Sequence, residues 1–463
     1  MTPTGQGPTR ISHRYPSCAP TAREFTRRLP SSQRALTFAA RRGAGRETIT
    51  VHAEAGPGID DAHVSAAVIR YPIIFMPLFA PFGISSGYVT VTLGFLLARA
   101  GVSTAIIGAL IALSVWPQTW KMLWAPVVDT VGNPKLWYGL GATLVGGTIL
   151  LMSVLPMTKD EIGVFSTLIV ISSIASTAVS MSTEIFMANQ TPAELRGRAS
   201  GWSQAGNLGG AGIGGGLGLL LAEHVPHAWV SGAVLAAICF ACWAGVLFLP
   251  RLVRTEKAPS YLHEIRQVVT DVWSVAKSRL GYLALIIMVL PLSSGGVPWS
   301  AVAKEWNAGG DLVALVNGVA GGLASMVGAM LAGWVCDRMD PKRAYCAFGL
   351  LVGAVATALI FFPRTPTVFV VGVLGYQAMI GMGYTGYAAI VLEAIGKKSA
   401  ATNWNLMAAL SNIPIAVMST FDGWMHDRYG TDAMLLGELV APAATIVLFG
   451  LFALATRPRR GAA

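Results

Sequence analysis

Lys121 is the side chain in this sequence whose position most needs a chemical reason. It lies in Trp116-Pro-Gln-Thr-Trp-Lys-Met-Leu-Trp-Ala-Pro-Val-Val-Asp129, the end of an apolar run that starts near Ala105 and is long enough to cross a bilayer. Asp129 follows eight residues later, which is about 12 Å along a helix. A lysine at that depth costs about 2.5–3.5 kcal/mol on insertion scales, so it needs a partner or a purpose. An uncompensated cation in a midplane cavity suits a carboxylate or phosphate on a bound cargo. Gln118 is three residues away on nearly the same face, and Trp120, with Trp116 and Trp124, offers flat apolar area beside the ammonium. Snorkelling of the flexible stem toward the interface is the competing reading.

The elements that must position this lysine are membrane spans. Of 463 residues, 54% are apolar and only 12% charged, against about 25% charged in a soluble chain. The apolar residues come in runs of about 18–27, a multi-span helical pattern. The period-2 alternation of a membrane β-barrel is absent. Spans are expected at 72–98, 104–128, 136–156, 162–187, 200–222 and 228–249, then at 280–303, 312–335, 344–362, 367–392, 404–421 and 433–455. The expected fold is all-α and integral to the membrane, with twelve transmembrane helices in two six-helix halves, 70–250 and 280–456. A linker (251–279) joins them and a basic tail (457–463) follows. Residues 1–65 are Arg-rich, hold no lysine and no apolar run, and are expected to be disordered. They read as an unstructured tail, a start placed too far upstream or an organelle transit peptide.

With the N-terminus inside, the cytoplasmic loops, helix ends and tail carry eighteen Lys and Arg, and the outer side carries five. Both termini are therefore expected in the cytoplasm. The net charge of +10 is then a topology signal and calls for no nucleic acid. Cys239 and Cys242 have metal-like spacing but no further ligands nearby, so no metal or cofactor is expected. All seven histidines fall in tails, loops or outer ends, away from any candidate nucleophile. No phosphate-cradling loop is present. Neither an enzyme nor an ATP-driven pump is expected.

Two sets of markers repeat along the chain. Asp129 and Lys135 recur as Asp337 and Arg343 after Gly333, 337 − 129 = 208 residues on. Glu184, followed by Arg196 and Trp202, recurs as Glu393, followed by Lys397 and Trp404. Parallel repeats of this kind are the plan of two-halved carriers. The position matching Lys121 is Ala329, so the repeat does not demand the lysine. Gly206, Gly210, Gly214 and Gly218 in span five, with Gly318, Gly322 and Gly328 in span eight, are small-residue faces expected to meet across the two halves.

Gly333-x-x-x-Asp337-Arg338 with Lys342-Arg343 resembles the loop motif between the second and third helices of each half in major facilitator transporters. Lys121-Met-Leu-Trp-Ala-Pro-Val-Val-Asp129 resembles the signature of the branch holding muropeptide permeases, acetyl-CoA transporters and some siderophore permeases. The resemblance covers about residues 70–455. It implies the major facilitator fold in an inner (plasma) membrane, a monomer in lipid, and a small-molecule cargo moved with protons. It also implies a latch of Asp129, Lys135, Gly333, Asp337, Arg338, Lys342 and Arg343 that holds one face closed. Gly423-Trp-Met-His-Asp427-Arg428-x-Gly430 echoes that motif on the outer side and is given no such role.

Other polar groups fall where a cavity is expected: Tyr88 in span one, Gln204 and Asn207 in five, Asn317 in eight. Tyr376, Gln377, Tyr384 and Tyr387 lie in ten, and Asn405 and Asn412 in eleven. Each could equally make a plain helix-to-helix hydrogen bond. Four acids could carry a coupling proton if buried. Glu184 and Glu393 lie near inner helix ends, and Asp422 and Glu438 flank the outer ends of the last two spans. The leading reading is proton-linked uptake of an anionic or amphipathic metabolite such as a siderophore, muropeptide or acyl-CoA-like compound. The alternatives are a non-transporting assembly factor on a carrier scaffold and an efflux antiporter.

Overall fold

The computed structural model describes residues 37–38, 49–50, 69, 71–130, 133–192, 195–249, 266, 269–270, 273, 276–395 and 406–456. The chain divides into two units, Met1–Ser65 and Ala66–Ala463. In the first, Thr37–Phe38 (β1) pairs antiparallel with Ile49–Thr50 (β2). The segment expected to lack structure therefore holds one short pairing, built largely from β-branched residues that suit extended backbone. Most of the linker and the whole basic tail lie outside the described residues.

The second unit is helical. Its first half holds Pro72–Arg99 (α1), Thr104–Thr119 continued by Lys121–Thr130 (α2), Pro134–Val154 (α3) and Lys159–Gln190 (α4). Arg196–Gly212 with Ile213–Leu217 and Gly218–His224 (α5), and Trp229–Leu247 (α6), complete it. The second half holds Arg279–Val289 with Trp299–Val302 and Ala303–Trp306 (α7), Gly310–Cys336 (α8) and Pro341–Phe361 (α9). It ends with Pro366–Ile395 (α10), Asn412–Tyr429 (α11) and Thr431–Ala455 (α12).

Among the described residues, nine of these helices are long and apolar enough to cross a membrane on their own. The other three depart from the expected spans for physical reasons. α2 breaks at Trp120, whose φ of −119° and ψ of 10° leave the helical region three residues after Pro117. α7 unwinds between Leu290 and Trp299, a stretch bounded by Pro291 and Pro298. α11 continues past the expected end at 421 to Tyr429, carrying Asp422, His426, Asp427 and Arg428 in its last turns. The large apolar side chains left exposed, such as Leu323, Met330 and Leu331 of α8 and Val447, Leu448 and Leu451 of α12, suit lipid as solvent.

The halves repeat one packing scheme. α3 packs on α4 and α6 as α9 packs on α10 and α12, and α2 meets α4 as α8 meets α10. Across the halves, α2 packs on α11 and α5 on α8. The repeat is also visible in helix caps. Asn133 accepts from Lys135 N at 2.9 Å with Pro134 in the first helical turn. Asp340 accepts from Lys342 N at 3.0 Å and Arg343 N at 3.2 Å, with Pro341 in that place. By the caps the offset is 340 − 133 = 207, which pairs Lys135 with Lys342 instead of Arg343.

The glycine faces divide the work differently from the sequence expectation. Gly206, Gly210 and Gly214 lie against the backbone carbonyls of Met76, Ala80 and Ile84 in α1 of the same half. Only the other face of α5 crosses between halves: a Cβ on Gly216 would stand 3.0 Å from Ala314 O of α8. Wide π turns occur in α1 (Tyr88–Leu93), α5 (Ile213–Leu217) and α8 (Val316–Ala320). The Thr92 hydroxyl donates to the carbonyls of Gly214 and Gly215 at 2.9 and 3.0 Å, satisfying backbone acceptors that lipid could not.

Candidate functional site

In the first half the break at Trp120 sets Lys121 at the start of a new helical segment. Its Nζ lies 3.4 Å from Glu184 Oε1 of α4. The lysine is therefore paired, which corrects the expectation of an uncompensated cation. The two side chains are 14% and 32% exposed, and at 3.4 Å the contact is longer than a well-formed charge-assisted hydrogen bond, so a competing anion can displace the acid. Gln118 and Trp120 are half-buried beside the break. Trp116 is half exposed and lines an apolar groove of about 660 Å³ between α2 and α11, with Ala112, Leu113, Val417, Phe421 and Trp424. Trp124 turns to Trp137 of α3, ring centres 6.2 Å apart.

In the second half the unwound stretch of α7 organises a denser polar cluster. Gly296 N donates to Glu438 Oε1 at 2.7 Å, and the Tyr376 hydroxyl donates to Glu438 Oε2 at 2.9 Å. A Cβ on Gly296 would stand 2.5 Å from Asp422 Oδ2, so both carboxyl groups close on one glycine. Each acid is 0% exposed. This corrects their expected place at the outer ends of the last two spans, because α11 and α12 both extend beyond them. Neither oxygen of Asp422 receives a hydrogen bond from the donors placed among the described residues.

Irregular backbone at membrane depth is tolerated where it is buried in protein or lines a polar cavity. Here it does both. Gly296 faces the acids, while Ser293, Ser294 and Gly295 line a cavity of about 90 Å³ with Tyr345, Tyr384, Tyr387 and Ser411. The serines, Tyr345 and Ser411 were not singled out from the sequence. The signal for the two serines was Pro291-Leu-Ser-Ser-Gly-Gly-Val-Pro298 inside an apolar run, and Tyr345 and Ser411 lie outside it.

The remaining expected cavity residues scatter. Tyr88 is buried in the core of the first half, Gln204 is exposed, and Asn207 is half-buried with its carbonyl against Gly83. Asn317 and Asn412 donate back to their own helices, at Val313 O and Ala408 O. Gln377 is half-buried, its carbonyl accepting from Ser325. Asn405 and the side chains of Glu393 and Asp129 lie outside the described residues.

At the end bearing Arg99 and Asp427 the two halves are joined. Ser300 of α7 donates to Thr90 O of α1, and His224 and Asp311 approach to 3.6 Å. Thr104 N and Ala105 N of α2 donate to the Asp427 carboxylate. At the opposite end, bearing the loop motif, Asp337 and Arg338 are exposed. Arg338 donates to Trp334 O and stacks 4.1 Å over its ring, and Gly333 has open space where a Cβ would stand. Lys135 reaches Leu249 O.

A family model described as Major Facilitator Superfamily matches residues 73–404. The chain belongs to the major facilitator superfamily. It is a membrane-spanning transporter of that superfamily, with twelve helices in the two halves described above. The anhydromuropeptide permease of Escherichia coli, found with the same figures from two strains, is 25% identical over 348 residues, covering 71% of this chain and 69% of that protein. A D-xylose-proton symporter structure superposes with a TM-score of 0.61 at 15% identity, covering 84% of this chain and 97% of that one. A POT family transporter in complex with 5-aminolevulinic acid gives 0.63 at 11% identity, covering 83% and 96%. At these identities the two structures show that the major facilitator fold is shared.

Proposed function

We propose that this transporter is a proton-linked importer of an anionic or amphipathic metabolite, with a muropeptide-like compound first among the candidate cargoes. The observation that carries the reading is the long, partly buried Lys121–Glu184 pair beside the break in α2. A cargo carboxylate arriving at Lys121 displaces Glu184, and the displaced acid takes the proton that travels with the cargo. Loss of that proton restores the pair and expels the anion. The anhydromuropeptide permease supports the cargo class at 25% identity. Siderophore and acyl-CoA-like anions fit the same charge logic.

The charge bias of the loops puts the loop-motif end and both termini in the cytoplasm of a multi-pass inner-membrane protein. The joined end is then external, and the conformation is closed to the outside. In this reading the loop motif is a latch for the other closed state, which explains why Asp337 and Arg338 stand exposed here. The test is uptake of labelled anhydromuropeptide into proteoliposomes under an imposed pH gradient. Acid outside should accelerate uptake and a protonophore should abolish it. Uptake indifferent to the gradient overturns the proton link, and no uptake of any of the three anion classes overturns the importer.

A further inference from the structure

We infer that Asp422 and Glu438 together bind one exchangeable proton, and that the unwound stretch of α7 reads whether it is there. This rests on the proton-linked reading above but concerns residues in the other half. Both carboxyl groups are fully buried and both touch Gly296. The groups facing the pair are few. From α10 comes Tyr376 and from α7 the N–H groups of Gly296 and Val297, while Gly353 of α9 and Gly108 of α2 lie against the backbone at Glu438 and at Ser419. Among the described residues no lysine, arginine or histidine lies within ion-pair distance of either acid. Two bare carboxylates pressed together in apolar surroundings repel strongly and lack solvation.

The hydrogen bonds assign the proton's place. The donors at the pair, Gly296 N–H and Tyr376 O–H with the N–H of Val297, are spent on Glu438, and Asp422 receives none of them. A proton held between the two acids gives Asp422 its hydrogen bond and removes one of the two charges. A metal ion does not fit the same place. The Glu438 oxygens are turned to N–H and O–H donors, and a hard cation needs about six oxygen ligands. When the proton leaves, two like charges act on one glycine in a stretch that no helix holds. Ser293, Ser294 and Gly295 of that stretch line the hydroxyl-rich cavity, and the Tyr376 hydroxyl abuts Gly295. The proton's departure is thereby felt at the cavity wall.

Infrared difference spectroscopy of the full-length protein in lipid bilayers, without cargo, tests this directly. The expected result is a carbonyl-stretch band of a buried, protonated carboxyl that disappears on raising pH and is the same in sodium, potassium or choline chloride. Asp422→Asn and Glu438→Gln each keep the shape and can still hydrogen-bond across the pair, so each should fold and each should lose the band. Tyr376→Phe should keep the band and shift its frequency. A band unchanged in either acid variant overturns the proposal, and so does a band that sodium removes at fixed pH. Should the band behave as expected while cargo uptake ignores pH gradients, the importer reading fails alone. Should uptake follow the gradient in variants that never had the band, the shared proton fails alone.

Discussion

Asp427, at the end of α11, caps the first turn of α2 in the opposite half: its carboxylate oxygens accept from Thr104 N and Ala105 N, each at 3.0 Å. A negative charge at the N-terminus of a helix meets unsatisfied donors and the positive end of the dipole. Gly423, one turn earlier, lets the two helices close, since a Cβ there would stand 2.7 Å from Thr104 O. The run noted in the sequence as an echo of the loop motif thus joins the halves at this end. Asp427→Asn keeps the shape and loses the charge. Closure should weaken by about 1–2 kcal/mol, a roughly five- to thirty-fold change in the ratio of closed to open states. Distances between spin labels on the α2 and α11 ends would report it, and an unchanged distribution would remove Asp427 from the gate.

The same gate should respond to pH through His426. Its Nε2 lies 2.7 Å from Glu305 Oε1 and its Nδ1 3.3 Å from Asp427 Oδ1. Burial alone would lower the pKa of His426, but the hydrogen bonds and charges of the two acids outweigh it and raise the value above the ordinary one. Burial likewise works against Glu305 and Asp427. His426 with Thr431 and Arg364 holds Glu305 below its usual value, and Ala105 N–H, Ser103 and His426 do so for Asp427. The sign follows for each group. The histidine's support for closure is complete below about pH 6.5 and is lost as pH rises through its raised value. The acids' support is complete above about pH 4 and is lost as pH falls through their lowered values. Label distances should therefore show closure strongest between those limits. His426→Gln should flatten the alkaline limb and leave the acid limb in place. An alkaline limb that survives in His426→Gln belongs to another group.

The architecture was readable from the sequence because lipid imposes long apolar runs and the loop charges stay out of them. The duplicated acid and base markers gave the two halves. What was not readable depended on contacts between distant segments. The partner of Lys121 is 63 positions away, and only the packing of α2 on α4 brings Glu184 to it. Asp422 looked like a helix end because an apolar run stops at the first acid, whereas α11 continues seven residues past it to Tyr429, and Glu438, near the start of the expected last span, lies seven residues into α12, which begins at Thr431. The break in α7 had local signs in Pro291 and Pro298, yet hydropathy averaged over a span conceals eight unwound residues. The loop-motif spacing misplaced one register because the caps, Asn133 and Asp340, lie four residues after Asp129 but three after Asp337.

That difference separates two acids that the loop motif places side by side. Asp340 caps α9, whereas Asp337 is exposed and no donor is placed on its carboxylate among the described residues. Asp340→Ala should lower thermal stability, by about 1 kcal/mol, in every conformation. Asp337→Asn should leave stability of the present conformation unchanged and shift the accessibility of introduced cysteines from one face to the other. Loss of stability in Asp337→Asn with no change in accessibility would make it a structural acid and not a latch.

The most exacting prediction concerns Lys121 and Glu184 together. Because the pair is partly buried but 3.4 Å apart, longer than a well-formed charge-assisted hydrogen bond, Lys121→Met and Glu184→Gln, which keeps an acceptor beside the lysine, should each leave the protein folded. Their effects on transport should differ in kind. Lys121→Met keeps much of the apolar stem but leaves an anionic cargo without a counter-charge at low dielectric, so binding should fall at every pH. Glu184→Gln mimics the protonated acid and leaves the lysine available. Cargo should bind as well as or better than in the wild type, exchange down its own gradient should continue, and accumulation driven by a pH gradient should stop. Lys121→Arg should fall between wild type and Met, since a planar fork does not reproduce a compact ammonium. Equilibrium binding, counterflow and gradient-driven uptake in the same proteoliposomes separate these outcomes. Wild-type binding by Lys121→Met would take the lysine out of the site, and wild-type accumulation by Glu184→Gln would leave proton coupling to the carboxyl pair in the other half.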